Sequence, residues 1–238
     1  TDMYICSGED GEIYQPKFTF HGYRYIEISG VKNPPKPEEV VSLQYSSVKQ
    51  FDGEFECSNT LLNRFAENVF WSQKCNFINI PTDCPQRNER MGWAGDTHVF
   101  CHTALQNSNL KLFYERNLQA MADLQTDHGR FPEIAPAGGG FGGITYESAT
   151  IYMAWELYLQ YGDKRTLKRF YPGMVRFMKY LQKCGLPEKI EEKMIGPIDD
   201  WLALEPTDSF LVWNAFYYRN ADIMSHISKV LGKEQEYI

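Results

Sequence analysis

A mainly α-helical domain entered through a short β-rich segment is the fold class this sequence predicts, and three observations carry the prediction. Beyond Phe51, apolar residues recur at three- and four-residue spacing in run after run. Before it, residues 17–29 (KFTFHGYRYIEIS) are dense in aromatic and β-branched side chains, the composition of a strand. Between the helical runs lie two long stretches, 79–96 and 127–143, whose prolines and glycines exclude helix from much of their length. With 238 residues the chain is long enough for one or two domains and a substantial core. The expected division is 1–50, strands, and 51–238, helices.

Taken in order, Gly8, Asp10 and Gly11 mark a turn. In 17–29, Phe18, Phe20, Tyr23, Tyr25 and Ile28 are shared between two strand faces, with a bend expected at His21-Gly22. The NPPKP run at 33–37 breaks that strand, and 40–48 supplies another. Two or three strands cannot make an independent sandwich, so either their partners are missing or they lie against the helical part, and the chain is expected to be an excised or incomplete piece. Ser58-Asn59 caps a helix whose Leu61, Leu62, Phe65, Val69 and Phe70 cover one face. Asp96 stands at an N-cap position before Val99, Phe100 and Leu105. Further helices are expected over 110–124, over 147–161 ending at Gly162, over 172–184 with Pro172 in the first turn, and over 209–231 ending at Gly232. That makes about six helices, with no fixed repeat.

The stretch 79–96, NIPTDCPQRNERMGWAGD, concentrates chemistry. It holds three carboxylates (Asp83, Glu89, Asp96), two guanidinium groups (Arg87, Arg90) and the indole of Trp93 in a loop that prolines keep irregular. Carboxylates with an aromatic plate are equipment for sugars: acids move protons and hold hydroxyls, and a ring covers the apolar face of a pyranose. A salt-linked surface loop with Trp93 plugged into the core is the bland alternative. Arg87 and Arg90 are expected to orient the acids by charge-assisted bonds, or else to form an anion site.

The run PTDCPQRNERMGWAGD resembles the signature of the bacterial α-L-rhamnosidases, glycoside hydrolase family seventy-eight, usually close to PTDCPQRDERLGWTGD. The resemblance implies that Glu89 is the general acid, that Asp83 and Asp96 contact sugar, that Arg87 belongs to the substrate-binding set, and that Trp93 stacks on the ring. Asn88 stands where an aspartate is usual, which removes a charge beside Glu89. Residues 17–29 are similar to the family's FTYHGFRYVEV phrase at the end of the β-sandwich preceding its catalytic domain. Asp199-Asp200-Trp201-Leu202 resembles the family's GDWL, which implies that Trp201 lines the sugar site. Residues 146–149 read YESA where WGDA is usual, so Tyr146 replaces a tryptophan, Ser148 supplies no carboxylate, and Glu147 is the nearest substitute. The implied fold is part of an (α/α)6 barrel, a six-hairpin toroid. The implied activity is inverting hydrolysis of terminal α-L-rhamnosides, with the general base beyond Ile238 and no cofactor. A non-catalytic carbohydrate-binding toroid, or a helical toroid that binds protein, is the competing reading.

Other signals narrow the field. A net charge of −7 opposes a nucleic-acid partner, since phosphate binding needs a basic surface. No apolar run approaches the length of a membrane span. The chain opens without a recognisable leader, and no compartment is read from it. Six cysteines without a CxxC pair suggest free thiols, and Cys84 is expected to pack. His98 and His102 have metal-ligand spacing, but HVFCH lacks the glutamate of HExxH, and buried polar neighbours are expected instead of a metal. The glycines of 138–143 follow no strand and precede no GK, so they serve a bending loop and not a phosphate.

Overall fold

A computed structural model describes residues 1–140, 142–185 and 200–233. Its architecture is helical, as expected. Seven α-helices occur among the described residues: α1 Thr60–Asn76, α2 Ala94–Asn107, α3 Lys111–Asp123, α4 Ile144–Glu147, α5 Ala149–Tyr161, α6 Lys164–Lys183 and α7 Ser209–Leu231. None is long and apolar enough to cross a membrane.

The helix α5 is the hub, packing against α2, α3, α4, α6 and α7. Its sequence explains the position. Ala149, Thr150, Ile151, Met153, Ala154 and Leu157 are all buried, and a helix apolar on most sides is stable only when surrounded. Against it lies α6, strongly amphipathic, burying Leu167, Phe170, Met174, Phe177, Met178 and Leu181 at three- and four-residue steps. Asp163 caps α6 by accepting from Arg165 N at 2.9 Å, and Lys111 Nζ reaches its other oxygen at 2.5 Å. Arg165 and Lys111 hold the Asp163 carboxyl well below the usual carboxylate range.

Two boundaries differ from expectation. The helix expected to begin at Pro172 begins eight residues earlier, with Pro172 inside it. The proline is tolerated because it lies on the exposed face, where water satisfies the carbonyl left without a partner. The helix expected from 147 is split into α4 and α5 at Ser148, whose Oγ donates back to Ile144 O at 2.6 Å.

Residues 1–50 depart further. The strands expected over 17–29 and 40–48 form no ladder; the one regular element is a 3-10 turn at Pro37–Glu39. The two isolated β-bridges among the described residues, Phe77 to Pro81 and Trp93 to Ile134, lie elsewhere. A strand needs a neighbour for its backbone groups, and here these residues leave most of their apolar side chains in solvent, with Phe18 100% and Tyr25 88% exposed, whereas Val48 is buried in the helical core. They are nonetheless anchored: Gly22 N donates to Pro85 O at 2.7 Å and Ser47 N to Phe77 O at 2.7 Å. The face expected on α1 is also unburied at its start, where Leu61, Leu62 and Phe65 are exposed, although Asn59 caps the helix as expected. No disulfide joins the cysteines among the described residues, and Cys84 is buried.

Candidate active site

The loop after α1 is closed by its own backbone. Asp83 N donates to Met91 O at 3.0 Å, and Met91 N donates to Asp83 Oδ1 at 2.7 Å. Inside this ring the Arg87 guanidinium meets Glu89 Oε2 at 2.6 Å and stands 3.6 Å from Asp83 Oδ2. The other oxygen of Glu89 accepts from the indole N–H of Trp93 at 2.7 Å. Glu89 is thus gripped at both oxygens while about a third of its side chain stays exposed. The Asp83 carboxylate is almost wholly buried, and its Oδ2 has no hydrogen-bond partner. Reactive atoms of Asp83, Cys84 and Glu89 lie within 4.8 Å of one another, with Arg87 supplying the positive charge beside them.

The second long loop braces the first. Ala94 N donates to Glu133 O at 2.8 Å and Ala135 N to Gly92 O at 3.0 Å, on either side of the Trp93–Ile134 bridge. The approach demands glycine at 92, because a Cβ there would sit 2.1 Å from Ala135 O. Below the joint, Arg130 binds two buried carboxylates: Glu133 at 2.6 Å and Glu147. Glu133 also accepts from the backbone N–H groups of Gly142 and Gly143. The chain then turns into α4 and places the Tyr146 ring edge-on to Trp93, with centroids 5.5 Å apart. Gly95 makes room for that ring, since a Cβ there would come within 2.5 Å of it.

Beside these groups opens a cavity of about 700 Å³, a size suited to a small ligand. Asp83, Asp96, Tyr146 and Trp201 line it, together with His98, Tyr152, Phe216 and Arg219. Trp201 is 62% exposed, a plate at the rim. Burial pushes the Asp96 carboxyl up, and the negative charges of Asp83 and Glu89 push it the same way. Burial lowers the His98 imidazole to about 4, so the ring that faces Tyr152 and Phe216 is neutral.

Of the expected site residues, Asp83, Asp96 and Trp201 come together on the cavity wall, whereas Glu89, Arg87 and Trp93 stand alongside Asp83 without lining it. Asp96 is not the N-cap; Trp93 holds that position, and Asp96 lies in the first turn. Arg90 does not orient the acids. Its φ of +50° turns the side chain back toward the N-terminal segment, where it donates to Phe20 O at 2.8 Å. Glu147 does not substitute for the missing aspartate: it is buried against Arg130, outside the cavity lining. Ser148 packs against α7, accepting from Asn220 Nδ2 at 2.7 Å. His98 and His102 aim at different partners, Thr145 O and Glu156; His98 is buried, whereas His102 is exposed, contrary to the expectation of two buried neighbours. Asp199 lies outside the described residues. Sequence reasoning missed Tyr152, Phe216 and Arg219; the one available signal was a lone arginine in the aromatic run FYYRN of α7.

Comparison with known proteins bears on this arrangement. The profile described as the bacterial alpha-L-rhamnosidase 6 hairpin glycosidase domain matches residues 50–238, and that described as the bacterial alpha-L-rhamnosidase concanavalin-like domain matches 1–46. An alpha-L-rhamnosidase of Streptomyces avermitilis is 34% identical over 240 residues, covering 98% of this chain and 23% of that protein. One from Formosa agariphila is 34% identical over 254 residues, covering 99% and 26%. The solved alpha-L-rhamnosidase of Dictyoglumus thermophilum superposes with a TM-score of 0.85 at 34% identity, over 94% of this chain and 26% of that one. The Streptomyces avermitilis enzyme complexed with L-rhamnose superposes with a TM-score of 0.73 at 32% identity, over 81% and 19%. The chain spans about a quarter of the length of the curated relatives it matches.

Proposed function

Because this chain belongs to the bacterial α-L-rhamnosidase six-hairpin glycosidase family, we propose that it forms part of a glycoside hydrolase that cleaves terminal α-L-rhamnosides. Glu89 is the general acid in this reading, Asp83 and Asp96 hold sugar hydroxyls, Trp201 supplies aromatic surface at the cavity rim, and Trp93, buried and outside the cavity lining, holds Glu89 through its indole N–H instead of stacking on the sugar. Arg87 fixes the two acids. Residues 1–50 and 51–238 are then pieces of two domains, a division supported by the two profiles that meet between 46 and 50.

The observation that carries the reading is the hold on Glu89: a carboxyl fixed at both oxygens by Arg87 and Trp93, partly exposed, beside an acid-lined cavity. Positioning of this kind is what a proton donor needs, since a misplaced acid loses most of its effect. The partner base is not Asp83. An inverting reaction needs about 6.5–9.5 Å between carboxyl groups to hold water, and the Asp83–Glu89 approach is within 4.8 Å. The base is assigned to a part of the protein that this chain does not include.

A second reading makes Asp96 the proton donor. It lines the cavity, and burial with two neighbouring carboxylates favours its protonated form. Leaving-group dependence separates the two in the protein at the length of its relatives. Glu89→Gln is expected to slow alkyl and sugar rhamnosides by about 10²–10⁴-fold, and nitrophenyl rhamnoside far less, because nitrophenolate departs without a proton. Equal losses on both substrates, with the selective pattern found instead for Asp96→Asn, would transfer the role to Asp96. Binding of rhamnose with no turnover by the unsubstituted protein would support the sugar-binding toroid.

A further inference from the structure

We propose that Glu133, which lies outside the cavity lining, is the positioning residue that holds the Trp93 indole, and through it the carboxyl of Glu89. The proposal rests on the reading of Glu89 as the general acid.

The Glu133 side chain is almost wholly buried, and both of its oxygens are occupied. Oε1 accepts from Arg130 at 2.6 Å and from Gly143 N at 2.9 Å, and Oε2 accepts from Gly142 N. A carboxylate buried this deeply is costly unless a charge and hydrogen bonds meet it, so its place is tightly fixed. From that place it supports both flanks of Trp93. On one flank its own backbone carbonyl takes the Ala94 N–H at 2.8 Å, beside the Trp93–Ile134 bridge. On the other its carboxylate sets Gly142 and Gly143 at the entry to α4. Gly142 lies so close to the Tyr146 ring that a Cβ there would overlap it, and Tyr146 stands edge-on to Trp93. Between these flanks the indole donates to Glu89 Oε1 at 2.7 Å. The other hold on Glu89, Arg87, is an exposed side chain whose ion pair water weakens. The durable hold is therefore the buried indole, and a shift of Trp93 would carry the acid off the position from which a proton is delivered.

Two measurements test this. In the chain, the indole N–H resonance of Trp93, identified by its loss in Trp93→Phe, should move upfield and exchange faster with water in Glu133→Gln. Glu133→Asp, which keeps the charge, should bring part of that change back. In the protein at the length of its relatives, Glu133→Gln is expected to slow alkyl rhamnosides by about tenfold and nitrophenyl rhamnoside less. It should add little once Glu89→Gln is present, because both act through one proton transfer. An unmoved Trp93 resonance would overturn the positioning role. So would equal losses on the two substrates, or full additivity with Glu89→Gln, where Glu89→Gln itself keeps its selective pattern; the acid reading would then stand without Glu133. A moved resonance with no selectivity in Glu89→Gln would sink the acid reading and leave Glu133 as the support of Trp93. Should Glu133→Gln not fold, Gly142→Ala crowds Tyr146 while the Glu133–Arg130 pair stays intact, and a Trp93 resonance unmoved by it would overturn the proposal.

Discussion

Residues 1–50 and the helical body from α2 to α7 are made of similar material, rich in aromatic and branched residues, yet one leaves most of its rings in water and the other seals most of them. Phe18 and Tyr25 stand in solvent, while Phe131, Phe177 and Tyr114 are among the most buried side chains of the chain. The cause is the backbone. A helix satisfies its hydrogen bonds within itself, so an apolar stripe is presented as soon as the helix forms, and two stripes can pack. A strand satisfies its backbone only with a neighbour, and without a ladder its alternating side chains face no common surface. What residues 1–50 contribute is contact at a few points behind the acid-bearing loop, through Gly22, Phe20 and Ser47.

That contrast breaks most sharply in the helical half. Phe177→Ala removes a fully buried ring that packs on Phe131 at 5.5 Å and on Tyr180, and should destabilise the fold by about 3–5 kcal/mol in chemical denaturation. A loss below about 1 kcal/mol would mean that the helical core is not the stabilising unit.

A pH series probes the buried charges of the same half. Burial raises Glu147 to about 7, with Glu133 adding to the rise and Arg130 opposing it. Between the ordinary value of 4.5 and about 7 the folded state therefore keeps a proton that the unfolded chain has released. This contribution is fully present below pH 4.5 and is lost as pH rises toward 7, amounting to at most about 3 kcal/mol. Glu147→Gln should flatten that part of the stability–pH curve; an unchanged slope would assign it to another group.

The smallest effect is expected outside the core. Phe18→Ser removes a ring that touches solvent on all sides, and should shift stability by less than about 0.5 kcal/mol. A large loss would show that residues 17–29 pack in solution in a way the helical body does not require.

The helices and the loop were legible in the chain because their signals are local. Asn59 capped α1 as read, and Gly162 and Gly232 closed α5 and α7 where the apolar runs stop, whereas the first turns of α6 after its Asp163 cap went unread. The density of acids and arginines between Pro81 and Asp96 singled out the site for the same reason. Partners distant in sequence were not legible. Nothing local says that Arg87 turns to Glu89 while Arg90 turns to Phe20, or that Glu147 takes Arg130 and leaves the cavity to Tyr146. Nor does the run FYYRN announce that Arg219 comes to rest on Tyr152, on the wall of the same cavity as Asp96. The sequence by itself determined which segments coil and where the reactive groups are concentrated, because backbone propensity and side-chain period act over a few residues. Only the tertiary structure decided which charge meets which, because the energy of a charge depends on its distance to others and on its burial, and both are set by how the helices pack.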